Sequence, residues 1–174
     1  MKLDRSVRPA AIEHASHFER YIKLVPEGDL VETLARQSDE ALGLLRALSE
    51  EKAGHRYAPG KWSIKEVVGH VTDAERVFAY RALALARGDQ GSLPSFDENV
   101  YAGLAGFERM PLADVLSGFD IVRQSSLMLL RPLDAEAWVR VGTVGGHATS
   151  VRAMAFVIAG HAHHHVNILR ERYL

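Results

Sequence analysis

Near the C-terminus an apolar stripe at steps of three and four, Val151, Met154 and Ile158, runs on through His161 and His165 to Ile168. Residues at this spacing share one face of an α-helix. The stripe predicts a helix that starts after Ser150 as N-cap and whose core-facing seam changes from hydrocarbon to imidazole partway along. That change constrains the whole chain. Such a helix must be packed by others, and they must supply partners for two buried imidazoles. His163, rotated by roughly 160° from His165, is expected to face outward, while His164, three residues after His161, sits on the flank.

Three further segments have helical length and period. The first runs from about Asp29 to Glu51, with Leu30, Leu34, Ala41, Leu45 and Leu48 along one face; before it, Ala10 to Lys23 forms a short helix or an extended arm. The second has the clearest start. Ser63, Ile64, Lys65 and Glu66 make a capping box, and the helix continues to Arg87, where Gly88 offers a left-handed stop. The third spans about Leu112 to Arg131, between Pro111 and Pro132. Long connections fill residues 89–110 and 133–149, with helical turns expected around Asp97 to Leu104 and Asp134 to Trp138. No stretch alternates with period two for long enough to predict a sheet. At 174 residues the pattern is that of one all-α domain built on four helices.

Composition narrows the chemistry. With 21 Lys+Arg against 22 Asp+Glu the formal charge is −1, so nothing in the balance favours nucleic acid or an anionic membrane as partner. The N-terminal segment lacks the apolar core of a signal peptide, and no run reaches the length of a membrane span, which predicts a cytoplasmic protein. There is no cysteine. Metal ligands are thereby limited to imidazole and carboxylate, and any sulfur nucleophile must come from outside the chain.

His70 is the histidine on the apolar face of a second strongly signalled helix, near Val67, Ala74 and Val77, and so is the expected partner of His161 and His165. Three imidazoles on a divalent ion leave a position for water or substrate, the arrangement of a catalytic rather than a structural site. Zinc is the first choice, with nickel, iron or manganese accepted by the same donors. Glu66, one turn before His70, and Asp73, nearly one turn after it, are candidates to orient an imidazole or act as a base, as is His164 in support or as a rival ligand. His14, His17, His55 and His147 have no comparable spacing and read as surface or packing residues.

The run Tyr57-Ala58-Pro59-Gly60-Lys61-Trp62-Ser63-Ile64-Lys65-Glu66 leading into His70, then Asp73-Ala74-Glu75-Arg76, and finally Gly160-His161 with His164-His165, resembles the DinB-like family, which is grouped with the YfiT-type metal-dependent hydrolases. The likeness extends in helix order over essentially the whole chain. It implies a four-helix bundle of up-down-down-up topology with long crossover loops, a homodimer, and a three-histidine metal centre that falls on His70, His161 and His165. Members with assigned activities include S-transferases using bacillithiol or mycothiol and a mycothiol-dependent isomerase. The expected function is therefore metal-dependent transfer of a low-molecular-weight thiol to an electrophilic small molecule. A hydrolase using metal-bound water and a non-catalytic, dimeric metal-binding stress-response protein are the alternatives.

Overall fold

The computed structural model describes residues 3–174. After two 3-10 turns, Ala11–Glu13 and Ser16–Phe18, the elements in chain order are α1 (Glu19–Ile22), α2 (Leu30–Leu45), α3 (Glu50–Ala53), α4 (Ile64–Ala86), β1 (Ser92–Leu93), α5 (Glu98–Ala105), α6 (Leu112–Leu130), α7 (Ala135–Val139), β2 (Val141–Val144), β3 (His147–Ser150) and α8 (Val151–Arg172). A further 3-10 turn, Phe107–Arg109, precedes α6.

The long helices begin where the chain offers acceptors to their orphaned N–H groups. Asp29 accepts from the N–H groups of Val31 and Glu32, and Ser150 accepts from Ala153. At α4 the expected box is present: Ser63 Oγ accepts from the Glu66 N–H at 3.2 Å, and Glu66 Oε2 accepts from the Ser63 N–H at 2.7 Å. Pro111 has no side-chain oxygen to offer α6, so Leu112 N–H donates instead to Glu50 Oε1 at 2.7 Å, an acceptor borrowed from α3.

That borrowed cap also fixes direction. The start of α6 lies beside the residues that follow α2, and Lys65 at the start of α4 donates to the Met110 carbonyl just ahead of α6. α4 and α6 therefore run parallel, and α2 runs against them. Tyr173, following α8, donates to the carbonyl of Trp62, ahead of α4, while Arg140, ahead of α8, donates to Ala86 at the end of α4. α8 is thus antiparallel to α4, and the order is up-down-down-up. α4 packs against α6 and α8, and α2 closes the square against the same two helices.

Two expectations are corrected. The first long helix does not continue to Glu51. It ends at Leu45, and Ser49 caps the separate α3 by accepting from the Lys52 N–H. Nor is the chain free of sheet: β1 pairs parallel with β2, and β2 pairs antiparallel with β3 through a two-residue Gly145-Gly146 turn. Both glycines have positive φ, 56° and 81°, as such a hairpin requires. Each strand is too short for period two to show, but the Gly-Gly pair was a readable hairpin signal. The sheet ties the α4–α6 crossover to the segment that feeds α8. Residues 10–23 form the two 3-10 turns and α1, and α1 packs on α8.

Inside the bundle, Arg123 of α6 is fully buried and makes a two-pronged ion pair with Glu75 of α4, both N···O distances being 2.8 Å, while its third nitrogen donates to the Leu34 carbonyl of α2. One side chain thus joins three helices. No described helix is long and apolar enough to cross a membrane.

Candidate metal centre

α4 and α8 cross with His70 facing His161 and His165. The Nε2 atoms of His70 and His161 are 3.1 Å apart, and one nitrogen from each of the three rings lies within 4.8 Å of the others. His70 and His161 are 6% and 5% exposed, and His165 is partly buried. A glycine precedes each of the two buried histidines, and in both cases it makes room. A Cβ on Gly160 would stand 2.0 Å from the Tyr21 carbonyl oxygen, and one on Gly69 would stand 2.2 Å from the Phe107 ring. α1 and the turn before α6 can therefore press onto the helices at the level of the centre.

Aromatic rings hold the imidazoles in place. Trp62 lies 4.8 Å from the His70 ring, and Tyr21 and Phe78 meet His161 edge-on at 5.2 and 5.7 Å. In these surroundings burial pushes the His70 imidazolium down, against the charges of Glu98 and Asp73, and burial with the neighbouring His165 and His70 pushes His161 well below its ordinary value. Burial, together with His70 and His164, takes His165 down to about 3. Three neutral imidazoles with free lone pairs converge on one point.

The donors fit a divalent ion. Two nitrogens each about 2.0–2.1 Å from one tetrahedral ion stand about 3.3 Å apart, close to the observed separation. A hydrogen bond between neutral rings would account for His70 and His161 alone. It would leave unexplained why His165, whose buried Nδ1 has no protein partner, brings a nitrogen into the same cluster. An all-imidazole set of three is accepted by several first-row divalent metals.

On one side the centre opens on a cavity of about 140 Å3 lined by His70 and His161 and by residues from α1, α4 and the α4–α6 connection, including Tyr21, Phe78, Arg81, Phe96 and Glu98. The other sequence-predicted residues fall differently. Glu66 caps its helix and is held by Arg56 at 2.6 Å, where burial is outweighed by the Ser63 and Arg56 hydrogen bonds and its carboxyl stays below the usual range. Asp73 pairs with Arg76 at 2.7 Å, although its charge reaches His70. The carboxylate that lines the cavity is Glu98. His164 stacks against Tyr21 at 5.5 Å and His165 at 5.0 Å, outside the cluster of three. His163 does not face fully outward but is half-buried in a groove with Gln37 and Arg170.

Among the histidines read as ordinary, His14 is buried, hydrogen-bonded through Nδ1 to the Ala15 carbonyl, with Nε2 3.3 Å from a Glu19 oxygen. His17 lines the cavity, a placement that follows from the docking of α1 and has no signal in local spacing. Arg20 and Tyr21 depend on the same docking of α1, whereas Arg81 shares the helical phase of His70 on α4. Phe96 and Glu98 belong to the long connection of residues 89–110, and connections of that length are often functional.

Comparison with known proteins agrees with this architecture. YfiT from Bacillus subtilis, described as a probable metal-dependent hydrolase with an unusual four-helix bundle topology, superposes with a TM-score of 0.70 over 95% of this chain and 91% of its own, at 17% identity. No curated protein matches the sequence. The family model of the DinB superfamily matches residues 33–169, which include all three histidines of the centre and the four bundle helices from Thr33 onward. The chain belongs to the DinB superfamily.

Proposed function

We propose that this protein is a metal-dependent enzyme that transfers a low-molecular-weight thiol, of the bacillithiol or mycothiol type, to an electrophilic small molecule. The observation that carries it is the convergence of three neutral imidazoles, two of which, His70 and His161, stand on the wall of an aromatic-lined cavity. A divalent cation held by His70, His161 and His165, zinc foremost, supplies the positive charge that favours the ionised form of a thiol or water beside it.

The chain's own groups do the rest. Trp62, Tyr21 and Phe78 fix the ring planes, so the donor set is organised before a ligand arrives. Phe78 and Phe96 give the cavity its apolar walls. Glu98, a carboxylate on the cavity lining, takes in this reading the proton that a thiol gives up as its sulfur attacks the electrophile and the leaving group departs. Because the chain has no cysteine, that sulfur is the cosubstrate's. Hydrolysis is the second reading. It is favoured by the likeness to YfiT and would use the same residues with water as nucleophile. We further propose a cytoplasmic homodimer as the working form.

The test is metal analysis of the purified protein, followed by turnover of activated electrophiles with and without added thiol. Turnover that requires thiol supports transfer, and turnover in its absence supports hydrolysis. His70→Ala and His161→Ala should abolish either activity with helical content retained. Full activity in a demonstrably metal-free variant would sink both readings.

A further inference from the structure

We infer that the cavity binds substrates bearing a carboxylate, and that Arg81 is the residue that recognises it. The inference rests on reading the cavity beside the three histidines as the substrate site. Arg81 is only 4% exposed, yet among the described residues no carboxylate oxygen lies within 4 Å of its guanidinium. Its one hydrogen bond is to the Pro94 carbonyl at 2.5 Å, and it lies against Phe78 and Phe96 at 5.8 and 5.6 Å.

Two other arginines packed into the fold have carboxylate partners. Arg123 has Glu75 and the Leu34 carbonyl, and Arg152 has Glu13. A buried cation without a counter-charge is costly, and at a cavity wall a ligand can supply what the protein omits.

Placement explains what kind of ligand fits. His70, Ala74, Phe78 and Arg81 follow at steps of four, four and three on α4, so all face the same cavity. Arg81 lies three turns beyond His70, about 16 Å along the axis, and its side chain leans back toward the helix N-terminus. Ala74, between them, leaves the space open. A small two-ended molecule could thus place an anionic group on Arg81 and its reacting atom at the histidines, with its middle against Phe78.

The charge balance favours a carboxylate over a phosphate. In the metal-free protein, Arg20 and Arg81 against Glu98 leave one excess positive charge on the lining, enough for a monoanion, and the guanidinium fork matches two carboxylate oxygens. A phosphate dianion would also face Glu98 without a second buried cation.

The test uses hexanoate as probe, with hexanamide and inorganic phosphate as controls, on the metal-free protein, followed by calorimetry and by the NMR signal of the Arg81 side-chain Nε–H. Hexanoate should bind and shift that signal, hexanamide should do neither, and Arg81→Met should weaken binding by about tenfold or more. Arg81→Lys keeps the charge without the fork and should recover only part. If Arg81→Met does not fold, the Nε–H response of the unmodified protein and the Lys variant decide.

Hexanamide binding as well as hexanoate, undiminished binding by a folded Arg81→Met, or tighter binding of phosphate at the same signal overturns the inference. Zinc titration of the same proteins separates the two levels. Loss of hexanoate binding with zinc uptake intact refutes the carboxylate site alone, and absent zinc uptake refutes the metal centre while leaving hexanoate binding to stand or fall independently.

Discussion

His164 and His165 are adjacent on α8, yet only His165 places a nitrogen within 4.8 Å of donors on both His70 and His161. His164 meets Tyr21 and the outer side of His165 instead. His165→Ala should therefore abolish metal uptake, whereas His164→Ala should retain it with a loss of at most about 10–100-fold in affinity, the range for a residue that only steadies a ligand. Metal titration monitored by calorimetry checks both, and equal losses would show that the flank histidine shares the ion. The three clustered positions were legible because helical phase put His161 and His165 on an apolar seam and His70 on another. Phase along one helix says nothing about what docks across it. Arg20 and Tyr21 became visible only once α1 was folded over the centre.

At the scale of elements, close approach of backbones limits substitution more than helix propensity does. Gly160→Ala puts a methyl 2.0 Å from the Tyr21 carbonyl, where backbone stands on both sides, so α1 must move away. We expect a cost of about 1–3 kcal/mol in urea unfolding, together with weaker packing of Tyr21 on His161. Gly69→Ala meets only the Phe107 side chain and should cost less. Gly43→Ala has the opposite sign: nothing lies within 4 Å of its Cβ, and α2 should gain about 0.5–1 kcal/mol. The same contrast of local and distant causes explains which boundaries could be read. The starts of α4 and α8 followed from Ser63 and Ser150, whose hydroxyls act within one turn. The end of α2 at Leu45 did not, because no glycine or proline marks it and the cap of α3 by Ser49 lies inside a continuous helical pattern.

For the molecule as a whole, two ion pairs hold together parts distant in sequence. Glu75→Gln would leave the Arg123 charge buried and half-paired among three helices, and should cost about 3–5 kcal/mol, while the double variant Glu75→Leu/Arg123→Met should recover much of it. The second pair, Glu13 with Arg152, fastens the N-terminal segment, and so one wall of the cavity, to α8. Burial would raise the Glu13 carboxyl, but hydrogen bonds from Arg152, the Ala10 N–H and Ser150 outweigh it and hold the group at about 2, against an ordinary 4.5. Since the folded value is the lower one, the unfolded chain takes up the proton first as pH falls. The stabilisation is complete above about pH 5 and disappears between about pH 4.5 and 2, an amount on the order of 3 kcal/mol. Glu13→Gln should therefore be less stable than the natural chain at pH 7, and the gap in urea-unfolding free energy should close as pH approaches 2. A gap that persisted unchanged through that interval would mean that the clamp is not electrostatic, and that the N-terminal wall is held by the packing of Phe18, Tyr21 and Ile22 alone.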